Sequence, residues 1–222
     1  MRPQCVDWIS KAIATTQVSS SVFLDAVYYL DLLQVLEPAL TGFEACSYSL
    51  ILSLKQSCVA QLDLADFAGR FQSLLLKGDS FDEIVEKSLF IASVHRIDHS
   101  ITEKIITIAN DCFSQGVLTQ FQSTSLIQNA VKLGCHVALV DHIHHDSLAF
   151  ALALSMVAFE KFQISTDFLM SDYSSELDLV DFVHLFRQVS DYSCLFEEEA
   201  PPVTPKKSDG SPQSLHKYLS RS

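Results

Sequence analysis

The segment DHIHHD, residues 141 to 146, sets three histidines between two aspartates and is the densest run of metal-ligand side chains in the sequence. Imidazole nitrogens and carboxylates hold zinc or nickel when three or four of them converge in fixed geometry. His142 and Asp146 stand four residues apart, a spacing that brings two ligands onto one face only if a single helix carries both. Asp146 also stands directly before the apolar run SLAFALALSMVAF, where an aspartate caps a helix by accepting from its first unsatisfied backbone N–H groups. If the helix starts there, His142 falls outside it and the ligand set disperses. The segment then reads as a junction, with no metal and no cofactor expected.

The elements that would position such a junction follow from breakers and caps. After Pro38 no proline occurs until Pro201, and glycine is scarce, so the chain lacks the turns that many short strands require. An all-α fold suits it better. Ser80-Phe81-Asp82-Glu83 and Ser100-Ile101-Thr102-Glu103 have the S-x-x-E form of a capping box, each opening an apolar periodic run. Val22, Ala26, Tyr29, Leu33 and Leu36 recur at the spacing of one helical face, widened by Phe23, Val27 and Leu30.

An internal repeat organises these helices. SSSVFLDAVYYLDLLQVL from Ser19 aligns without gaps on STSLIQNAVKLGCHVALV from Ser123, an offset of 104 residues that matches Ala26 with Ala130 and Val27 with Val131. The same offset lays ACSYSLILSL (Ala45 to Leu54) on AFALALSMVA (Ala149 to Ala158), and neither stretch contains a charge. A helix apolar on every side must be surrounded by others, so each half should be a globule with one helix at its centre. DHIHHD falls on EPALTG, residues 37 to 42, a plain connector, which again makes it a junction. Two domains are expected, residues 1–99 and 100–196. Residues 197–222, with four of the six prolines, are too polar to bury much surface and are expected to be disordered.

Composition bounds the function. The 222 residues are 48% hydrophobic, ample for a packed core, and carry a formal net charge of -12. Up to Leu195, 11 Lys or Arg stand against 23 Asp or Glu, so the folded part repels a phosphate backbone and nucleic acid is not an expected partner. No run approaches the roughly 18 apolar residues of a membrane span, and MRPQCVDWIS has no hydrophobic signal region, so a membrane is not expected and an intracellular protein of nucleus or cytoplasm is. Cys5, Cys46, Cys58, Cys112, Cys135 and Cys194 are widely spaced with no CxxC, the pattern of reduced core thiols.

MRPQCVDWISKAI followed by SSSVFLDAVYYLDLL resembles the opening of a cyclin box, with Arg2, Asp7, Trp8 and Asp31 on the family's pattern. SLILSLKQS resembles the uncharged third helix that closes on a lysine. DSLAFALALSMVAF and FLMSDYSSELDLVDFVHLF resemble the second box, with Asp146-Ser147 and Ser171-Asp172-Tyr173 in the places of its Pro-Ser and Thr-Gly-Tyr segments. The resemblance covers residues 1 to about 195 and rests on the order and spacing of segments. It implies two tandem five-helix cyclin boxes that are not an enzyme but a rigid surface for a cyclin-dependent protein kinase. It places Lys55 and Glu86 at the family's kinase-contacting pair, with Glu83 the alternative if its capping role leaves its carboxylate available. Without the resemblance, Lys55 reads as a solvated cation favouring a helix C-terminus and Glu86 as a surface residue. Arg2 and Asp31 match a structural salt bridge, and Trp8 reads either as core or as the floor of a groove that docks Arg-x-Leu peptides.

That groove departs from the family. Gln4 replaces an apolar residue beside Cys5, and Lys11 replaces the acid that would receive the peptide's arginine, so the groove of Gln4, Cys5, Trp8 and Lys11 is expected to be vestigial. In the tail, Thr204-Pro205-Lys206-Lys207 has the form that proline-directed kinases prefer and Ser211-Pro212 is a minimal second site, making Thr204 and Ser211 phosphorylation candidates. The other readings are a cyclin-fold transcription or scaffold adaptor, the former disfavoured by the acidic core, and an all-helical metalloenzyme using DHIHHD.

Overall fold

A computed structural model of the chain describes residues 2–19, 21–56, 64–75, 80–97, 100–143, 146–160, 162, 164 and 166–199. The described residues form ten α-helices and no strand. The first five are α1 (Arg2–Thr16), α2 (Ser21–Leu36), α3 (Gly42–Gln56), α4 (Leu64–Gln72) and α5 (Phe81–His95). Then come α6 (Ile101–Ser114), α7 (Gln120–Val140), α8 (Ser147–Glu160), α9 (Asp167–Tyr173), a 3-10 turn (Ser174–Glu176) and α10 (Leu179–Glu199).

Side-chain caps set the starts. Ser80 Oγ accepts from Glu83 N at 3.4 Å and Ser100 Oγ from Glu103 N at 2.8 Å, so α5 and α6 begin where S-x-x-E places them. Neither glutamate returns the bond. Full reciprocal boxes occur instead at Thr41-Glu44 ahead of α3 and at Thr119-Gln122 ahead of α7, where each N3 side chain accepts from its N-cap backbone N–H at 2.9 Å. α5 ends at Arg96, whose left-handed backbone (φ 53°) returns its N–H to Ala92 O.

The repeat is visible in the helix positions. A shift of 104 residues carries α3 onto residues 146–160, where α8 spans 147–160, and carries the end of α2 at Leu36 onto the end of α7 at Val140. Ala45 to Ser53 of α3 are buried without a break against α1, α2 and α5, and Phe150 to Phe159 of α8 against α6, α7 and α10. The uncharged stretches therefore sit at the middle of each set of five. The two sets share one continuous core, because α2 packs on both α6 and α7. Gly134 of α7 makes that crossing close: a Cβ there would stand 2.7 Å from Leu24 Cδ2 of α2 and 2.9 Å from Leu154 Cδ1 of α8.

The expected limit of the folded part at 196 falls inside α10, which continues to Glu199. Phe196 and the three glutamates after it are compatible with a helix, whereas Pro201 and Pro202 are not. The tail from 200 on, with Thr204 and Ser211, lies outside the described residues. No described helix is long and apolar enough to cross a membrane.

Candidate functional site

The two aspartates of DHIHHD hold helix ends. Asp146 Oδ1 accepts from Leu148 N at 2.8 Å and Ala149 N at 3.2 Å, so it caps α8 and His142 is not on that helix. Asp141 ends α7, its carboxylate accepting from His142 N at 2.7 Å, from Tyr192 Oη at 3.1 Å and from Gln188 Nε2. Among the described residues no three His, Cys, Asp or Glu side chains converge as a metal site would require; His144 and His145 lie outside them.

What the segment meets instead is the Arg2–Asp31 pair. Arg2 Nε donates to Asp31 Oδ1 at 2.7 Å and Nη2 to Oδ2 at 3.0 Å, a two-pronged pair that is almost wholly buried. Nη2 also donates to the carbonyl of Ala138 at 2.9 Å and to that of Asp141. It thereby satisfies the last turn of α7, where a cation is favoured. Asp31 in turn accepts from Ile143 N at 2.8 Å and lies 3.3 Å from His142 Nδ1. One ion pair thus ties α1 and α2 to the junction that leads into α8.

Gln4, Cys5 and Trp8 line a pocket of about 220 Å³ with Gly42, Phe43 and Cys46. Trp8 stands edge-on to Phe43 at 5.6 Å and to Phe71 at 6.3 Å, which fixes its ring. Lys11 is not part of this lining; its ammonium lies 2.6 Å from Asp7 Oδ2, one turn back on α1. Cys5 Sγ donates to Gly42 O and Cys46 Sγ to Cys5 O, both at 3.7 Å, and burial pushes the Cys46 thiol far up. Burial raises Cys112 and Cys135 to about 11. Cys5, Cys46 and Cys112 are buried and Cys135 is partly buried; Cys58 and the Cys194 side chain are not among the described groups.

The larger concavity is a groove of about 600 Å³ between α3 and α5. Leu40, Tyr48, Phe90 and Ile91 form its apolar part, and Glu44, Glu83, Glu86 and Lys87 its charged part. Glu44 is spent on Thr41: bonds from the Thr41 backbone and hydroxyl, with a smaller pull from Lys87, hold its carboxyl below the ordinary value. Glu83 and Glu86 are exposed, and among the described residues neither carboxylate has a hydrogen-bond or ionic partner. The capping role expected to occupy Glu83 uses only its backbone N–H, so its side chain faces the groove beside Glu86. Phe90 is 67% and Val94 55% exposed. Lys55 is exposed in the last turn of α3, outside the groove lining but on the same helical stripe as Glu44 and Tyr48. The structure brings Glu83 and Glu86 together and leaves Lys55 further along α3.

Asp25 carries no sequence signal of function, yet it joins the two sets of helices. Only 1% exposed on α2, it accepts from Thr102 N at 3.1 Å, at the first turn of α6. Its Oδ2 and Thr102 Oγ1 are both buried, and among the described residues neither makes a hydrogen bond of good geometry. Burial, the largest influence, raises its carboxyl from 3.8 to about 6 against the lowering effect of the Thr102, Ser100 and Ile101 groups.

No protein-family model and no curated protein matches this chain.

Proposed function

We propose that this chain is a cyclin-like regulatory subunit that binds a cyclin-dependent serine/threonine kinase through its first five helices and activates it. The supporting observation is the groove between α3 and α5, where Glu86 holds a carboxylate with no partner among the described residues, one turn from the exposed ring of Phe90. A carboxylate that is free to accept backbone N–H groups, next to an apolar anchor on a rigidly packed helix pair, suits docking of a protein segment better than small-molecule chemistry. Lys55, exposed on the same stripe of α3, supplies a donor for a carbonyl of the same partner. The phosphoryl transfer belongs to the kinase. The subunit contributes differential binding: by packing on the kinase's helix C only in its active arrangement, it shifts the population toward that arrangement. Such a partner implies a setting in nucleus or cytoplasm.

The test is titration of purified cyclin-dependent kinases with the chain, reading both affinity and phosphorylation of a substrate peptide. Truncating Lys55 and Glu86 to alanine leaves polar partners unpaired, a loss of about 1 to 3 kcal/mol and so roughly tenfold or more in affinity. Equal affinity of a normally folded Lys55→Ala, Glu86→Ala variant would show that another face binds. Binding that leaves kinase activity unchanged would favour a scaffold adaptor.

A further inference from the structure

We infer that Cys5 and Cys46 form an oxidisable dithiol, a modification site at which a low-molecular-weight disulfide such as oxidised glutathione converts the two thiols into a bond between α1 and α3. The thiols meet: Cys46 Sγ donates to Cys5 O at 3.7 Å and also engages the Cys5 thiol itself. Both line the pocket of about 220 Å³ that Gln4, Trp8, Gly42 and Phe43 complete, so a reagent that enters it reaches both sulfurs. Cys112 and Cys135 are set differently, since the side chains whose charge acts on them are carboxylates, Asp111 and Asp172 for the one and Asp25 for the other. The site goes beyond the kinase reading and does not depend on it.

Burial and the contact with Cys5 both raise the Cys46 thiol, so Cys46 keeps its proton and Cys5 is the sulfur that attacks. Cys5 releases its proton to solvent and attacks the small disulfide, forming a mixed disulfide and expelling one thiolate. That thiolate takes the Cys46 proton as Cys46 Sγ attacks the Cys5 sulfur. The second small thiolate then leaves and takes up the proton that Cys5 released. Two protein S–H bonds and one small S–S bond are exchanged for one protein S–S bond and two small thiols. The product is uncharged, which suits a lining that holds no charged residue, whereas a lasting thiolate there would be a buried charge. The bond spans 41 residues of chain and encloses α2, so it restricts the unfolded chain and pins α1 to the central helix of its set.

The test incubates the reduced full chain, without denaturant, with oxidised glutathione. Intact mass should fall by two hydrogens, and a non-reducing peptide map should join the Cys5 and Cys46 peptides. Trp8, the only tryptophan, lines the same pocket, so its emission should fall as the disulfide forms beside it and recover on adding dithiothreitol. The linked chain should unfold at a higher urea concentration than the reduced chain. Cys46→Ser should stop at one glutathione on Cys5; if that variant does not fold, the wild-type map decides alone. A map that leaves Cys5 and Cys46 unlinked, or pairs Cys5 with another cysteine, overturns the proposal. So does a link that forms only in urea concentrations that unfold the chain, or one that lowers the urea midpoint, since either shows that the folded chain does not hold the thiols ready to bond.

Discussion

Replacing Asp25 with asparagine should stabilise the protein at neutral pH, although it removes a charge that caps a helix. In the folded chain Asp25 gains the Thr102 N–H but is desolvated, and no cation among the described residues offsets that loss. The unfolded chain releases this proton near 3.8 and the folded chain near 6. Between those values the folded state binds more protons, so stability falls as pH rises from about 4 to 6 and is flat above. The full difference, at about 1.4 kcal/mol per unit, is about 3 kcal/mol. From pH 5 to pH 8, where the ordinary carboxylates are ionised in both states, wild type should lose about 1.4 kcal/mol through this group. In Asp25→Asn the amide oxygen keeps the Thr102 N–H, and the amide nitrogen can donate to the Thr102 or Ser100 hydroxyl oxygen beside it, with no charge left to desolvate. The variant should therefore gain about 1 to 3 kcal/mol at pH 8 and lose this part of the pH slope. Urea unfolding followed by circular dichroism at several pH values measures both. A variant with the slope of wild type, or one less stable at pH 8, would mean that the buried carboxylate is not the cause. Asp25→Ala, which leaves the Thr102 N–H unpaired, should instead be destabilised.

Four further outcomes follow from the geometry. Arg2→Ala strands Asp31 as a buried charge and opens the last turn of α7, and should cost about 3 to 5 kcal/mol in denaturant unfolding. Gly134→Val forces side-chain atoms onto Leu24 and Leu154 and should cost about 1 to 3 kcal/mol by overpacking, with Gly134→Ala milder because the leucine tips can shift. Asp146→Ala removes the cap of α8 and should lower stability by about 0.5 to 2 kcal/mol without changing bound metal, measured by unfolding and elemental analysis. A labelled Arg-x-Leu peptide should bind wild type weakly, toward millimolar affinity, and Lys11→Glu more tightly; the substitution also frees Asp7, so tight binding to wild type that Trp8→Ala abolishes would contradict it.

The sequence established the helical class, the starts of α5, α6 and α8, and the correspondence of α2 with α7 and of α3 with α8. Each depends on neighbours in the chain: a cap reaches three residues, a helical stripe repeats every three or four, and the 104-residue repeat compares one local pattern with another. The boxes at Thr41-Glu44 and Thr119-Gln122 have the same local form, T-x-x-E and T-x-x-Q, but were not singled out from the sequence. DHIHHD was legible as a junction because its cap competed with its ligands over the same helix start. Which side chains meet across the chain depends on how the helices pack. No local rule says that Arg2 would reach the carbonyls of Ala138 and Asp141, or that Asp25 would serve α6. Nor could spacing reveal that the Glu83 carboxylate, left out of the cap, joins Glu86 in a groove shared with α3. Such contacts join residues far apart in sequence, or choose among rotamers of one helix, and both are set by how the packed helices cross.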